Sequence, residues 1–409
     1  MPRTAPEKFR TYNPLVEWLL GEAWDAATSK ELMGRLCGRA VEAGIPLMRI
    51  RLIIQTLHPQ MFASSFTWRR SGGGVEEVPT PHDTLQRPEY LASPFAPILK
   101  GAGGVRRRLD IQNPQLDYPI LEELKSEGAT DYVAMPLKFT NGLINVISMT
   151  TGRAGGFTAE DLGQINEILP VLSRLFEVHA ARRTAVTLLD TYLGSHTGER
   201  ILKGLIKRGD GEDIHAVIWF SDLRGSTPLA ESMPRKDFLS ILNRYFDCMA
   251  GAVLDHGGEV LRFIGDAALA IFPTSESGGG SKRCATAEAC AAAVAAAKDA
   301  VQRMAAFNRE RAKRGDAPLG FGIGIHMGDL TYGNIGALER LEFTVIGAAV
   351  NETARLEGMC KTLKKPVLIS DDVAHGFAGG LVSLGEYRLR GVGRPREIFT
   401  LRKDPNTFV

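Results

Sequence analysis

Two aspartates stand where apolar runs end. The first run, AVIWF (216–220), is followed by Ser221-Asp222 and a glycine-containing turn. The second, VLRFI (260–264), passes through Gly265-Asp266 into AALAIF (267–272). Two β runs separated by Gly-Asp alone signal a tight hairpin, which leaves the Asp266 carboxylate free of the strands it joins. With the two strands adjacent, both carboxylates converge at one sheet edge. Converging carboxylates repel and share a proton unless a cation sits between them. Mg2+ suits such a pair, because it takes one or two carboxylates and completes its octahedron with water and phosphate oxygens. The turn Leu223-Arg224-Gly225-Ser226-Thr227 then offers backbone N–H groups at a helix start, a cradle for phosphate. Singly, Asp222 reads as a helix cap and Asp266 as a turn residue; as a pair they read as a metal and phosphate site. A second polar pair, Asn351 and Arg355, is spaced i, i+4 and points from one helix face.

The bulk properties narrow the class. A length of 409 residues predicts two or three domains. Apolar content of 44% and charge of 23% are those of an ordinary globular protein with an ample core. A net charge of +2 points to neither a nucleic-acid nor a membrane surface. The five cysteines, Cys37, Cys248, Cys284, Cys290 and Cys360, are scattered with no CxxC spacing, which predicts free thiols in a reducing compartment. The opening MPRTAPEKFRTYNP has no apolar core of a signal peptide, and no apolar run reaches membrane-spanning length. The sequence therefore predicts a cytoplasmic protein with no membrane insertion.

Three segments must position these residues. Residues 1–157 read as an α+β module: a helical stretch over 14–45, strands over 48–57 and 64–70, and a loop-rich region to about 119 with a helix near 90–99. A short helix (120–128) and a strand pair (131–139, 143–151) complete it. Residues 158–213 read as a signalling helix and a polar connector. The helix starts at a capping box, Thr158 to Asp161, is kinked or restarted by Pro170, and ends at Gly194. Its apolar stripe fits either packing on the first module or parallel pairing with a second copy. Residues 214–409 hold the aspartates. Here the order is a strand to Asp222, a helix over 234–258, the Gly265-Asp266 hairpin and a flexible SESGGGSKR (275–283). An alanine-rich helix over 285–313 and a second hairpin over 320–336 follow. A strand over 342–346, a helix over 348–361 and strands over 366–370, 381–389 and 396–401 close the chain. That order is βαββαβ, a ferredoxin-like sheet with additions.

With FSDLRGST, RFIGDAALAIF, GIGIHMGDLTYGNIG and FTVIGAAVNETARLE in series, residues 214–402 resemble the catalytic domain of class III nucleotidyl cyclases. The resemblance implies that Asp222 and Asp266 hold two Mg2+ ions per active site, with Mn2+ as the alternative, on a nucleoside triphosphate. It puts Asn351 on the ribose and Arg355 on the phosphates, and a late cation, Arg390 or Arg388, near the phosphates. It implies an active site shared between two catalytic domains, hence a homodimer. Residues 192–204 resemble the short transducing segment that precedes such domains, and residues 1–157 resemble a GAF domain in element order, a module that binds an unidentified small ligand or dimerises.

The base-reading positions set the substrate. Arg262 stands where adenine-selective members carry lysine, and Thr344 where they carry aspartate or threonine. Arg262 only donates hydrogen bonds and Thr344 does either, which suits the acceptor N1 of adenine and favours ATP. Arginine forks, however, and also reaches guanine O6. Ala348 replaces a frequent aspartate and Ser226 a frequent phenylalanine. The readings left open are an adenylate cyclase, a guanylate cyclase, and a non-catalytic nucleotide-binding signalling adaptor.

Overall fold

Strand β1 (Arg49–Gln55) shows how the first part of the chain is built. Its residues alternate between two faces, with Ile50, Leu52 and Ile54 in one core and Ile53 in another. The computed structural model describes residues 13–274 and 282–402. The chain divides into two compact units, Met1–Leu188 and Leu189–Val409.

The first unit is one antiparallel sheet of β1, β2 (Met61–Arg69), β3 (Val75–Pro81), β4 (Val105–Arg108), β5 (Asp131–Lys138) and β6 (Ile144–Thr151). The strand order is β3-β2-β1-β6-β5-β4. Helices α1 (Pro14–Leu20) and α2 (Ser29–Glu42) cover one face. Short helices α3 (Pro88–Leu91), α4 (Phe95–Leu99) and α5 (Pro119–Ser126) accompany the other. The stretch expected to be one helix over 14–45 is thus broken by a 3-10 turn at Glu22–Asp25, and the helix expected near 90–99 is two. Strands β3 and β4 lie in the region expected to be loop.

Helix α6 (Ala159–Leu193) follows without a break, so Pro170 does not interrupt it. The predicted capping box is present: the Asp161 amide donates to Thr158 Oγ1 (3.1 Å) and the Thr158 amide to the Asp161 carboxylate (2.6 Å). Pro170 is exposed, while Ile168 and Leu172 beside it are fully buried. Their packing outweighs the roughly 3 kcal/mol that an interior proline costs a helix.

The second unit opens with α7 (Ser195–Leu202), where a polar connector was expected. Its core elements are β7 (Gly211–Arg224), α8 (Ser226–Glu231), α9 (Arg235–Asp255), β8 (Glu259–Ile264), β9 (Ala267–Pro273), α10 (Lys282–Lys313), β10 (Gly320–Ala337) and β11 (Arg340–Ile346). They continue as α11 (Ala348–Leu363), β12 (Val367–Ser370), α12 (Asp371–Gly376), β13 (Leu381–Tyr387) and β14 (Arg396–Leu401). The sheet runs β13-β14-β12-β10-β7-β9-β8, with β11 paired to β10. Its β10-β7-β9-β8 heart is antiparallel, the order of a ferredoxin-like βαββαβ unit. The alanine-rich helix α10 buries Ala293, Ala296, Ala297 and Ala300 completely, so its small residues serve close packing. The segment 275–281, part of the stretch expected to be flexible, lies outside the described residues.

Of the two hairpins expected, at Gly265-Asp266 and over 320–336, only the first forms. Gly265 has φ +63°, the left-handed region that glycine enters freely, and β8 folds back on β9 there. Gly328-Asp329 instead runs straight through β10, which pairs with β7 without interruption from Gly320 to Gly333. Gly328 is small for another reason: a Cβ on it would meet the Ala349 side chain at 2.7 Å, so its bareness lets α11 lie against the strand.

Candidate active site

Strand β7 carries Asp222 and ends two residues later than expected, at Arg224. Asp222 stands opposite Ala267 on β9, the residue after Asp266, so the strand end and the hairpin tip meet. Burial raises the Asp222 carboxyl above the ordinary aspartate range, and the adjacent Asp266 carboxylate raises it further. Two carboxylates in contact are a donor set that a divalent cation satisfies. No group of three or more His, Cys, Asp or Glu side chains among the described residues is placed to hold a metal ion by itself. The set therefore suits a hard ion that completes its shell with water and phosphate oxygens.

A cleft of about 610 Å3 opens over the pair. One wall is the turn that the sequence singled out, Leu223, Arg224, Gly225, Ser226 and Thr227, with Gly225 in the left-handed conformation (φ +69°) just before α8. No side chain caps the start of α8. The opposite wall was not anticipated. Lys361, Lys364 and Lys365, at the end of α11 and just beyond it, line the same cleft and bring positive charge to it. Their signal was the run KTLKKP, which closes the helix bearing Asn351 and Arg355.

A second feature missed in the sequence lies behind the aspartates. Glu357, on α11, is 4% exposed, and its carboxyl is pushed up to about 7, chiefly by burial and then by Asp222 and Asp266, against the opposing pull of Arg224. Arg224 forms an ion pair with the Glu357 carboxylate, donates to the Glu357 carbonyl (3.0 Å) and lies 3.7 Å from Asp222. It thus ties the strand of the first aspartate to helix α11. Period-two spacing places Arg224 on the same face of β7 as Asp222, and Glu357 interrupts the buried stripe Ala349, Thr353, Leu356, Cys360.

The remaining candidates lie elsewhere in the chain. Neither Asn351, Arg355, Arg262, Thr344 nor Arg390 lines the aspartate cleft. Asn351 and Arg355 are exposed, one turn apart on α11. Gly391, beside the exposed Arg390, approaches the Arg355 guanidinium closely enough that a Cβ would lie 3.0 Å from it. Arg390 therefore belongs with Arg355 and not with the aspartates. The Thr344 hydroxyl and Arg262 Nε are both buried without a hydrogen-bond partner among the described residues. Arg262 is not a solitary cation, because its Nη1 lies 3.0 Å from the Glu342 carboxylate on β11. The aspartates and the three lysines thus share one cleft, and Arg262, Thr344, Asn351, Arg355 and Arg390 all lie outside it.

Residues 212–401 match the sequence profile of the adenylate and guanylate cyclase catalytic domain. An uncharacterized protein of Mycobacterium tuberculosis is 34% identical over 219 residues, covering 52% of this chain and 36% of that protein. An adenylate cyclase of Anabaena cylindrica is 33% identical over 177 residues, covering 42% of this chain and 33% of the relative. The chain thus spans about a third of the length of these curated relatives. Among solved structures, the adenylyl cyclase CyaB of P. aeruginosa aligns with 26% identity and a TM-score of 0.43, over 49% of this chain and 99% of that one. No helix among the described residues is long and apolar enough to cross a membrane.

Proposed function

Taking residues 212–401 as a cyclase catalytic domain, we propose that the protein converts ATP to 3′,5′-cyclic AMP and pyrophosphate at sites shared by two copies of the chain. The observation that carries this reading is that Asn351, Arg355, Arg262, Thr344 and Arg390 lie off the cleft that holds Asp222 and Asp266, so the groups the reaction needs do not meet in one copy. Asp222 and Asp266 hold divalent metal, Mg2+ or Mn2+, together with the substrate phosphates. Bound metal supplies charge neutralisation at the phosphates and lowers the pKa of the 3′-hydroxyl. The 3′-oxygen attacks the α-phosphorus, the bond to the bridging oxygen breaks, pyrophosphate leaves, and the hydroxyl proton passes to solvent water.

The chain's own groups position and neutralise. Backbone N–H groups of Gly225 to Thr227 and the ammonium groups of Lys361, Lys364 and Lys365 receive the phosphate chain. From the partner chain, the residue equivalent to Asn351 orients the ribose, and those equivalent to Arg355 and Arg390 meet charge that builds on the phosphorus oxygens. Arg262 Nε and the Thr344 hydroxyl read the purine. Their hydrogen-bonding capacity is unspent among the described residues, and a purine edge would satisfy it.

One observation favours a second reading. The Glu342 carboxylate beside Arg262 is an acceptor of the kind that guanine N1 and N2 require, so the same pocket also suits GTP. Purified full-length protein incubated with ATP or GTP and Mg2+ or Mn2+, with the product identified, decides between the two. Failure to form a cyclic nucleotide under any combination overturns the proposal in favour of a non-catalytic nucleotide-binding adaptor. Replacing Arg262 with Glu should weaken ATP use by about ten- to a hundred-fold relative to GTP, the scale of one mispaired buried polar group. An unchanged ATP to GTP ratio would remove Arg262 from base reading. For the first unit we keep the GAF-like reading, a ligand-binding or dimerising module that biases the catalytic domains, on its sheet-with-helices architecture.

A further inference from the structure

The sheet of the first unit carries a second feature with the make-up of a binding site. Arg49 and Arg51 lie two apart on β1 and so share a face. Across the ladder to β6 they stand opposite Thr150 and Ser148, and Tyr132 on β5 is in turn opposite Thr150. Helices α3, α4 and α5 close over this patch and leave a cavity of about 590 Å3. Its walls are largely apolar, among them Ile53, Phe62, Phe95, Leu99 and Leu124.

The polar groups on its floor are under-satisfied. Arg51 donates to Ser65 Oγ (3.0 Å) and lies 5.7 Å from the centre of the Phe95 ring, and it pairs with no carboxylate among the described residues. Burial depresses its pKa, and the neighbouring Arg49 adds to the effect. Arg49 itself is answered from the rim by Glu123 (3.4 Å) and Glu127 (3.9 Å). The other acid lining the cavity, Glu89, is exposed. The Tyr132 hydroxyl, on a residue 2% exposed, sits beside Ser148 without making a hydrogen bond of good geometry. A half-buried cation with no carboxylate paired to it and a buried hydroxyl with only Ser148 beside it are each under-satisfied, and an anion between them relieves both. An apolar cavity with a few convergent polar groups is the usual form of a small-molecule site.

We propose that this cavity binds a small organic anion, its charged head on Arg51 and the Tyr132 hydroxyl and its apolar or aromatic body against Ile53, Phe95, Leu99 and Leu124. The inference does not depend on the cyclase reading, because its test measures binding and not turnover. A matched pair of fluorescent probes serves: 8-anilinonaphthalene-1-sulfonate, and N-phenyl-1-naphthylamine, which has the same body without the sulfonate. Full-length protein should bind the sulfonate saturably at one site per chain and the neutral compound at least about tenfold more weakly, as expected for a charge-assisted contact. Arg51→Gln should weaken the sulfonate by about tenfold and leave the neutral probe unchanged, and Tyr132→Phe should have a smaller effect in the same direction. Equal affinity of the wild type for both probes, no saturable binding of the sulfonate, or undiminished binding by a folded Arg51→Gln protein overturns the proposal. The first comparison needs only the wild-type chain, so it decides even where a variant does not fold.

Discussion

The Asp266 carboxylate opposes the ionisation of Asp222, so removing either should separate chemistry from folding. Asp222→Ala or Asp266→Ala is expected to abolish cyclic nucleotide formation while the melting temperature in metal-free buffer stays level or rises. Product analysis beside a thermal melt checks both halves, and near-wild-type turnover by either variant would end the metal assignment. Glu357 makes a prediction about pH. Its carboxyl titrates near 7 in the folded chain, above its ordinary value of 4.5. Between those values the folded state holds a proton that the unfolded state has released. The contribution of this group is therefore fully present below about 4.5 and is lost as pH rises toward 7. Relative to Glu357→Gln, which does not titrate, the metal-free wild type should lose melting temperature across that window. A constant gap between the two proteins would show that Glu357 titrates normally.

Helix α6 has two different halves. Ile165, Ile168, Leu172, Leu175 and Phe176 are buried in the first unit's core, whereas Val178, Val186 and Tyr192 are 55%, 36% and 76% exposed. The helix ends at Gly194 (φ +86°), and α7 is seated just beyond, where a Cβ on Gly198 would meet Asp190 at 2.8 Å. If the exposed half pairs with its twin and sets the phase of two catalytic domains, inserting two residues after Ala185 should rotate the following segment by roughly 200° and change activity strongly. Inserting seven should nearly restore both phase and activity. Wild-type rates from both insertions would make the helix a passive tether. The same elements show how far the sequence could be read. The hairpin at Asp266, the capping box at Thr158 and the end of the helix at Gly194 were legible because each rests on local chemistry. Gly328-Asp329 has the same local chemistry as Gly265-Asp266, and only its pairing with β7 and the approach of α11 make it strand. Pro170 was misread for a like reason, since burial on either side is invisible to local rules. Glu342 and Lys365 join their sites through the fold, which is why the sequence did not bring them to Arg262 and Asp266.

At the scale of the whole molecule, the separate placement of Asp222 and Arg355 makes a test by mixing. An Asp222→Ala chain and an Arg355→Ala chain should each be inactive alone. Together they should recover up to about a quarter of wild-type activity, because random pairing makes half of all dimers mixed and each mixed dimer has one intact site. Mixed dimers that form yet stay inactive would place the whole site within one chain. The division of the chain near Leu188 and the chemistry around Arg51 were the least legible parts of the sequence, since a cavity belongs to no single segment. One further consequence follows from the bare track on β10. A Cβ on Gly322, Gly324 or Gly328 would sit 2.2 to 2.7 Å from Glu357, the α11 backbone or Ala349. Most residues at a reaction centre can be replaced at the expense of rate alone; Gly322 faces only the movable ends of Glu357 and Arg224, but Gly324 and Gly328 admit no side chain without lifting the helix. In a survey of every single replacement scored for soluble yield, the least tolerant positions of the domain should be these two, ahead of either aspartate, so the heaviest purifying selection should fall on residues that never touch a substrate.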